Sequence, residues 1–117
     1  MVITVQAARE YASDVKALCE KMGLKHFWIE LIWPTSLAAN PAKGRVRKLM
    51  LELWKLLTDQ EETVVVHCAA GVHRTGCIAY SLMRMNGLER AEAFDALGKM
   101  REETKKGVGE TRIDIAE

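Results

Sequence analysis

The chain has 117 residues, enough for one domain with a buried core and too few for two ordinary ones. Its 49% hydrophobic and 28% charged content excludes the disordered and collagen-like classes. With 17 basic and 16 acidic residues the net charge is +1, which excludes a global attraction to polyanions; any preference for anions is local, and no nucleic-acid partner is expected.

In chain order, Val2 to Val5 is a short β-branched run that predicts a strand. Ala7 to Met22 predicts a helix, with Tyr11, Val15, Leu18 and Met22 at helical spacing and Gly23 as its C-terminal cap. His26 to Trp33, rich in aromatic and β-branched residues, predicts a second strand stopped by Pro34. Thr35 to Gly44 reads as a loop. Arg45 to Thr58 reads as a helix whose apolar face is Val46, Leu49, Met50, Leu53, Trp54 and Leu57. After a charged turn at Asp59 to Glu62, Thr63-Val64-Val65-Val66 predicts a strand covered on both faces. Ile78 to Met85 and Ala91 to Thr104 predict two more helices separated by Asn86-Gly87, and the tail from Gly107 reads as irregular. Alternating strands and helices predict an α/β fold with a central, mainly parallel sheet flanked by helices. Such sheets bind ligands beyond the carboxyl ends of their strands.

No apolar stretch approaches the roughly 20 residues that cross a bilayer, and the N-terminus lacks the pattern of a signal peptide, so a cytoplasmic location without membrane insertion is expected. Three cysteines, Cys19, Cys68 and Cys77, form no disulfide framework, which fits a reducing compartment.

The segment that carries chemistry is His67-Cys68-Ala69-Ala70-Gly71-Val72-His73-Arg74-Thr75-Gly76. A strand that ends in a cysteine, a tight glycine-bearing turn and a helix that begins near Arg74 converge three sources of positive potential. These are the backbone N–H groups from Ala69 through Ala70, Gly71, Val72 and His73 to Arg74, the helix N-terminus, and the Arg74 guanidinium, which grips two oxygens at once. The same field favours a thiolate at Cys68. Thr75 is placed to donate its hydroxyl to that sulfur. Arg74 at a helix start is disfavoured by the helix dipole unless an anion compensates it. His67 is expected to orient the loop, and Cys77 and Cys19 to pack. The spacing of His67, Cys68, His73 and Cys77 matches no usual zinc pattern, so no metal and no cofactor are expected.

His67-Cys68, five residues, then Arg74-Thr75-Gly76 resembles the signature of the cysteine-based protein tyrosine phosphatase superfamily. The surrounding elements, from Val2 to Arg101, resemble the layout of its small dual-specificity members. The resemblance implies a single phosphatase-like domain over residues 1–117. It also implies a two-step reaction in which Cys68 attacks phosphorus, Arg74 binds equatorial oxygens and water hydrolyses the phosphocysteine. The implied substrate is a phosphorylated protein or another phosphoester, and a homodimer is left open.

The chain departs from that pattern where the family often carries Trp-Pro-Asp, the Asp being its general acid: here stands Trp33-Pro34-Thr35. A threonine does not act as an acid near neutral pH, and a missing acid costs about 10²- to 10⁴-fold in rate. Glu30 or Asp59 as substitute, a substrate with a good leaving group, and slow turnover by a phosphate-binding module are the three explanations. The RNA 5′-triphosphatases of capping enzymes share the loop and lack the Asp, so RNA 5′-triphosphates and phosphoinositides stand as alternative substrates. The family's opening strands and phosphotyrosine-contacting loop have no counterpart in the sequence. Lys43, Arg45, Arg47 and Lys48 form a basic cluster that reads as a solvated helix end.

Overall fold

The computed structural model of the protein describes residues 1–31, 40–58 and 63–116. Among these, three strands, β1 (Val2–Val5), β2 (His26–Ile29) and β3 (Val65–His67), form a sheet in the order β2-β1-β3. Both pairings are parallel, with Ile3 opposite Phe27 and Val66. The helices are α1 (Ala12–Lys21), α2 (Asn40–Thr58), α3 (His73–Met85), α4 (Arg90–Met100) and α5 (Glu102–Ala116). This is the expected α/β fold, a parallel sheet flanked by helices.

Strand alternation sorts the sheet into two faces. Ile3, Val5 and Ile29 turn to one face and bury against Val46, Met50 and Leu53 of α2 and Ile78 of α3, with Cys68 at the edge of the same cluster. A second cluster joins the far side of α3 to the last two helices through Cys77, Tyr80, Ala93, Leu97, Val108 and Ile113. Helix α3 is therefore clamped between both cores, and its first residues hold their place from two sides.

Several elements differ from the sequence expectation. Ala7 to Met22 is not one helix: a 3-10 turn at Ala8–Glu10 and a left-handed Tyr11 (φ 66°) precede α1. Its expected apolar face is on the wrong side, since Tyr11 is 73% and Met22 64% exposed while Ala12 and Cys19 are buried. Small side chains let the helix approach the sheet closely, and the larger ones are turned outward. Gly23 caps as expected: at φ 71° it lets its own N–H reach Glu20 O and that of Leu24 reach Cys19 O.

Strand β2 ends at Ile29; Trp33, Pro34 and Thr35 lie outside the described residues, as does the charged turn at Asp59. Helix α2 begins at Asn40, inside the expected loop, because a proline such as Pro41 is accepted in a first helical turn. The Val-rich strand is covered on one face only: it is the sheet edge, and Val65 is 54% exposed. The expected helix from Ala91 is broken at Arg101, which is extended (φ −162°, ψ 116°). Beyond it, the tail expected to be irregular is helical to Ala116, with one break at Gly109 (φ 63°, ψ 168°).

Candidate active site

Strand β3 hands the chain directly to Cys68, and α3 starts five residues later, so residues 68–73 make a tight turn at the carboxyl end of the sheet. Gly71 adopts φ 69°, the left-handed conformation that reverses the turn without a Cβ penalty. Its carbonyl accepts from Thr104 Oγ1 at 2.7 Å, and the carbonyls of Ala70 and Gly71 both accept from Arg101 Nη1 at 3.2 Å. Arg101, just ahead of α5, and Thr104 within it thus hold those carbonyls from outside. A side chain at Gly107 would set Cβ 2.1 Å from Val72 Cγ1, so only glycine lets α5 lie this close to the turn.

The Cys68 sulfur sits at the base of the turn, buried, and accepts from Thr75 Oγ1 at 3.1 Å. Burial pushes the thiol up, but the Thr75 hydroxyl and the backbone N–H groups of Thr75, Val72 and Gly71 outweigh it, and its pKa is lowered. Cys77, three residues further on than Arg74, has the opposite character. It is fully buried, and burial pushes its thiol up to about 12. Cys19 is buried under α1. The two cysteines expected to pack do so.

Arg74 is buried at the start of α3, and the anion that compensates it is a side chain of the protein itself. Its Nη1 and Nη2 donate to the two carboxylate oxygens of Glu10 at 2.6 and 2.7 Å, and Nη1 also donates to Leu31 O at 3.0 Å. The Glu10 hydrogen bonds, with a further one to the Cys68 sulfur, raise the Arg74 pKa against burial. The same Arg74 bonds hold Glu10 down at about 2. Glu10 Oε2 in addition accepts from the Ala7 N–H at 2.7 Å, which closes the 3-10 turn that presents it.

His67 enters the loop through a line of hydrogen bonds across all three strands. Its Nδ1 lies 3.3 Å from Cys68 O, and Thr4 Oγ1 lies 2.8 Å from His67 Nε2 and 2.7 Å from His26 Nε2. With the His67 Nδ1–H donating to the carbonyl, Thr4 donates to His67 and accepts from His26, which assigns each proton. The lowered His26 pKa, due to burial and then to His67, agrees with a neutral ring there.

The structure therefore gathers Cys68, Arg74 and Thr75 at one turn with Ala69, Ala70, Gly71, Val72 and His73 between them. Of the proposed substitute acids, Glu30 is exposed and pairs with Arg45 at 3.7 Å, and Asp59 lies outside the described residues. Sequence reasoning missed Glu10, Arg101, Thr104 and Gly107. A lone glutamate 64 residues before its partner leaves no local pattern, and the α5 residues sit in a segment read as helix end and loose tail.

A cysteine at the end of a parallel strand, a tight turn after it and a buried arginine at the following helix start are the arrangement that the sequence pattern predicts. The model of the protein-tyrosine phosphatase family matches residues 3–111, and the chain belongs to that family. It is 29% identical over 103 residues to the human receptor-type tyrosine-protein phosphatase R, covering 83% of this chain and 15% of that protein. The rat and mouse proteins of the same name are each 31% identical over 75 residues, 63% of this chain and 11% of theirs. The chain thus spans about a seventh of the human relative's length. No solved structure gives a significant match. The similarity is to receptor-type tyrosine phosphatases and does not single out the dual-specificity group. No helix among the described residues is long and apolar enough to cross a membrane.

Proposed function

We propose that the chain hydrolyses phosphate monoesters, phosphotyrosine in proteins foremost, through a phosphocysteine at Cys68. The observation that carries this reading is the buried Cys68 sulfur at the base of the turn ahead of Arg74, accepting from Thr75 Oγ1 at 3.1 Å, surroundings that lower the thiol's pKa. In the first step the thiolate attacks phosphorus, the S–P bond forms and the P–O bond to tyrosine breaks, the phenolate taking a proton from water or an acid. In the second, water attacks phosphorus, the S–P bond breaks, phosphate leaves and the thiolate returns, stabilised by Thr75. The loop N–H groups and Arg74 hold the equatorial oxygens, where charge collects. The named activity of the relatives favours phosphotyrosine; phosphoserine and phosphothreonine are the wider range that a dual-specificity layout implies. A reducing compartment such as the cytoplasm keeps Cys68 in its thiol form.

A second reading, a slow phosphate-binding module, draws on a specific feature: Arg74 already donates to both carboxylate oxygens of Glu10 and to Leu31 O. Hydrolysis of para-nitrophenyl phosphate, whose leaving group needs little protonation, compared with a phosphotyrosine peptide separates the two. Turnover of both supports the enzyme, and turnover of the first alone supports a working nucleophile without an acid. Peptide binding with neither turnover supports the module. Cys68→Ser turning over either substrate as fast as the parent would reject the nucleophile.

A further inference from the structure

Helices α2 and α3 lie over the same sheet face but leave a cleft of about 340 Å³ between them, within the lower range of small-molecule sites. None of its lining residues belongs to the turn from Cys68 to Arg74, although its floor at Ile78 comes within one helical turn of Arg74; its far wall, at Met85, is eleven residues along α3 from Arg74, or about 16 Å at the helical rise. The floor is apolar, made by the buried Val46, Met50 and Ile78. Two methionines give it an adaptable surface. Among the described residues no aspartate or glutamate lines it.

The rim is cationic. Lys43 and Arg47, one turn apart on α2, are both exposed at the mouth, and among the described residues neither has an acidic partner. Like charges at this spacing repel each other. Their neighbour Arg45, by contrast, is paired with Glu30. On the opposite wall Arg84 donates to Leu88 O at 2.7 Å and pairs with Glu89 at 4.0 Å, and Ser81 donates to Ala116 O at 3.1 Å, so both are already engaged within the chain.

An apolar hollow beside two cations that have no acidic partner among the described residues is complementary to a molecule with an aliphatic body and an anionic head. We propose that this cleft binds a medium-chain aliphatic carboxylate, its chain against Val46, Met50 and Ile78 and its head between Lys43 and Arg47. The inference stands apart from the phosphatase reading, because none of these residues belongs to the loop.

Isothermal titration with decanoate below its micelle concentration tests it, against decanol and decyltrimethylammonium of the same chain length. Decanoate binds one to one and at least about tenfold tighter than either, and Arg47→Glu weakens it about tenfold. Leu51→Trp, which fills the mouth from an exposed position, also weakens it, and Cys68→Ser leaves it unchanged. Equal affinity for the three amphiphiles, an indifferent Arg47→Glu, or displacement of decanoate by vanadate overturns the proposal. So does a dimer in sedimentation that Arg47→Glu disperses, since the cleft would then be a contact between copies of the chain.

Discussion

Arg74 and Glu10 meet in a two-point ion pair, Nη1 to Oε2 at 2.6 Å and Nη2 to Oε1 at 2.7 Å, that joins the 3-10 turn at Ala8–Glu10 to the helix behind the Cys68 turn. The carboxyl has a pKa of about 2 in the fold against an ordinary 4.5, so its stabilisation is complete above about pH 4.5 and disappears as pH falls through about 2. The shift corresponds to about 3 kcal/mol. Urea denaturation from pH 6 to pH 2 shows this loss, and Glu10→Gln flattens it while lowering stability at pH 7 by about 2–4 kcal/mol. A parent and a variant with parallel pH curves would remove Glu10 from this role.

Thr75→Ala deprives the Cys68 sulfur of its hydroxyl donor at 3.1 Å. Without that donor the thiolate is less stabilised and the thiol pKa rises. The pH profile of alkylation by iodoacetamide moves upward, and burst kinetics show slower breakdown of the proposed phosphocysteine. An unmoved profile counts against the hydroxyl as the stabilising donor.

Iodoacetate discriminates among the cysteines. Cys68, lowered by its donors, reacts first near neutral pH, and Cys77, whose thiol burial pushes up to about 12, stays unmodified until the protein unfolds. Peptide mapping after brief exposure reads the order directly. Prior vanadate binding slows the first reaction.

Gly107→Ala places a methyl group where Val72 Cγ1 stands 2.1 Å away. Helix and turn must separate, at a cost of about 1–3 kcal/mol. Turnover of para-nitrophenyl phosphate falls more than stability alone accounts for, because the turn loses its outer support. Gly44→Ala, with nothing within 4 Å of the new Cβ, is the control and leaves activity as it was.

The segment from His67 to Gly76 was legible because its own signature is local, a strand, a turn glycine at φ 69° and a helix start within ten residues, whereas the distant residues that support it leave no local pattern. The parallel sheet was legible for a similar reason, since Val2–Val5 and Val65–His67 are β-branched runs with helices between them. The α1 face was misread because two stripes fit one periodicity, the large Tyr11, Leu18 and Met22 and the small Ala12 and Cys19, and packing distance decided between them. Helix α5 was hidden by its glycines. Gly107 lowers helix propensity, yet the neighbouring Val72 requires it, and that requirement exists only in three dimensions.

The turn between Cys68 and Arg74 is moulded from behind by Arg101, Thr104 and Gly107. A protease that nicked the polypeptide after Lys105 or Lys106 would spare the sheet and the sulfur yet part Gly107 from Arg101 and Thr104. Inactivation by clipping would thus precede unfolding, and residues 101–107 double as a fuse for the turn they back.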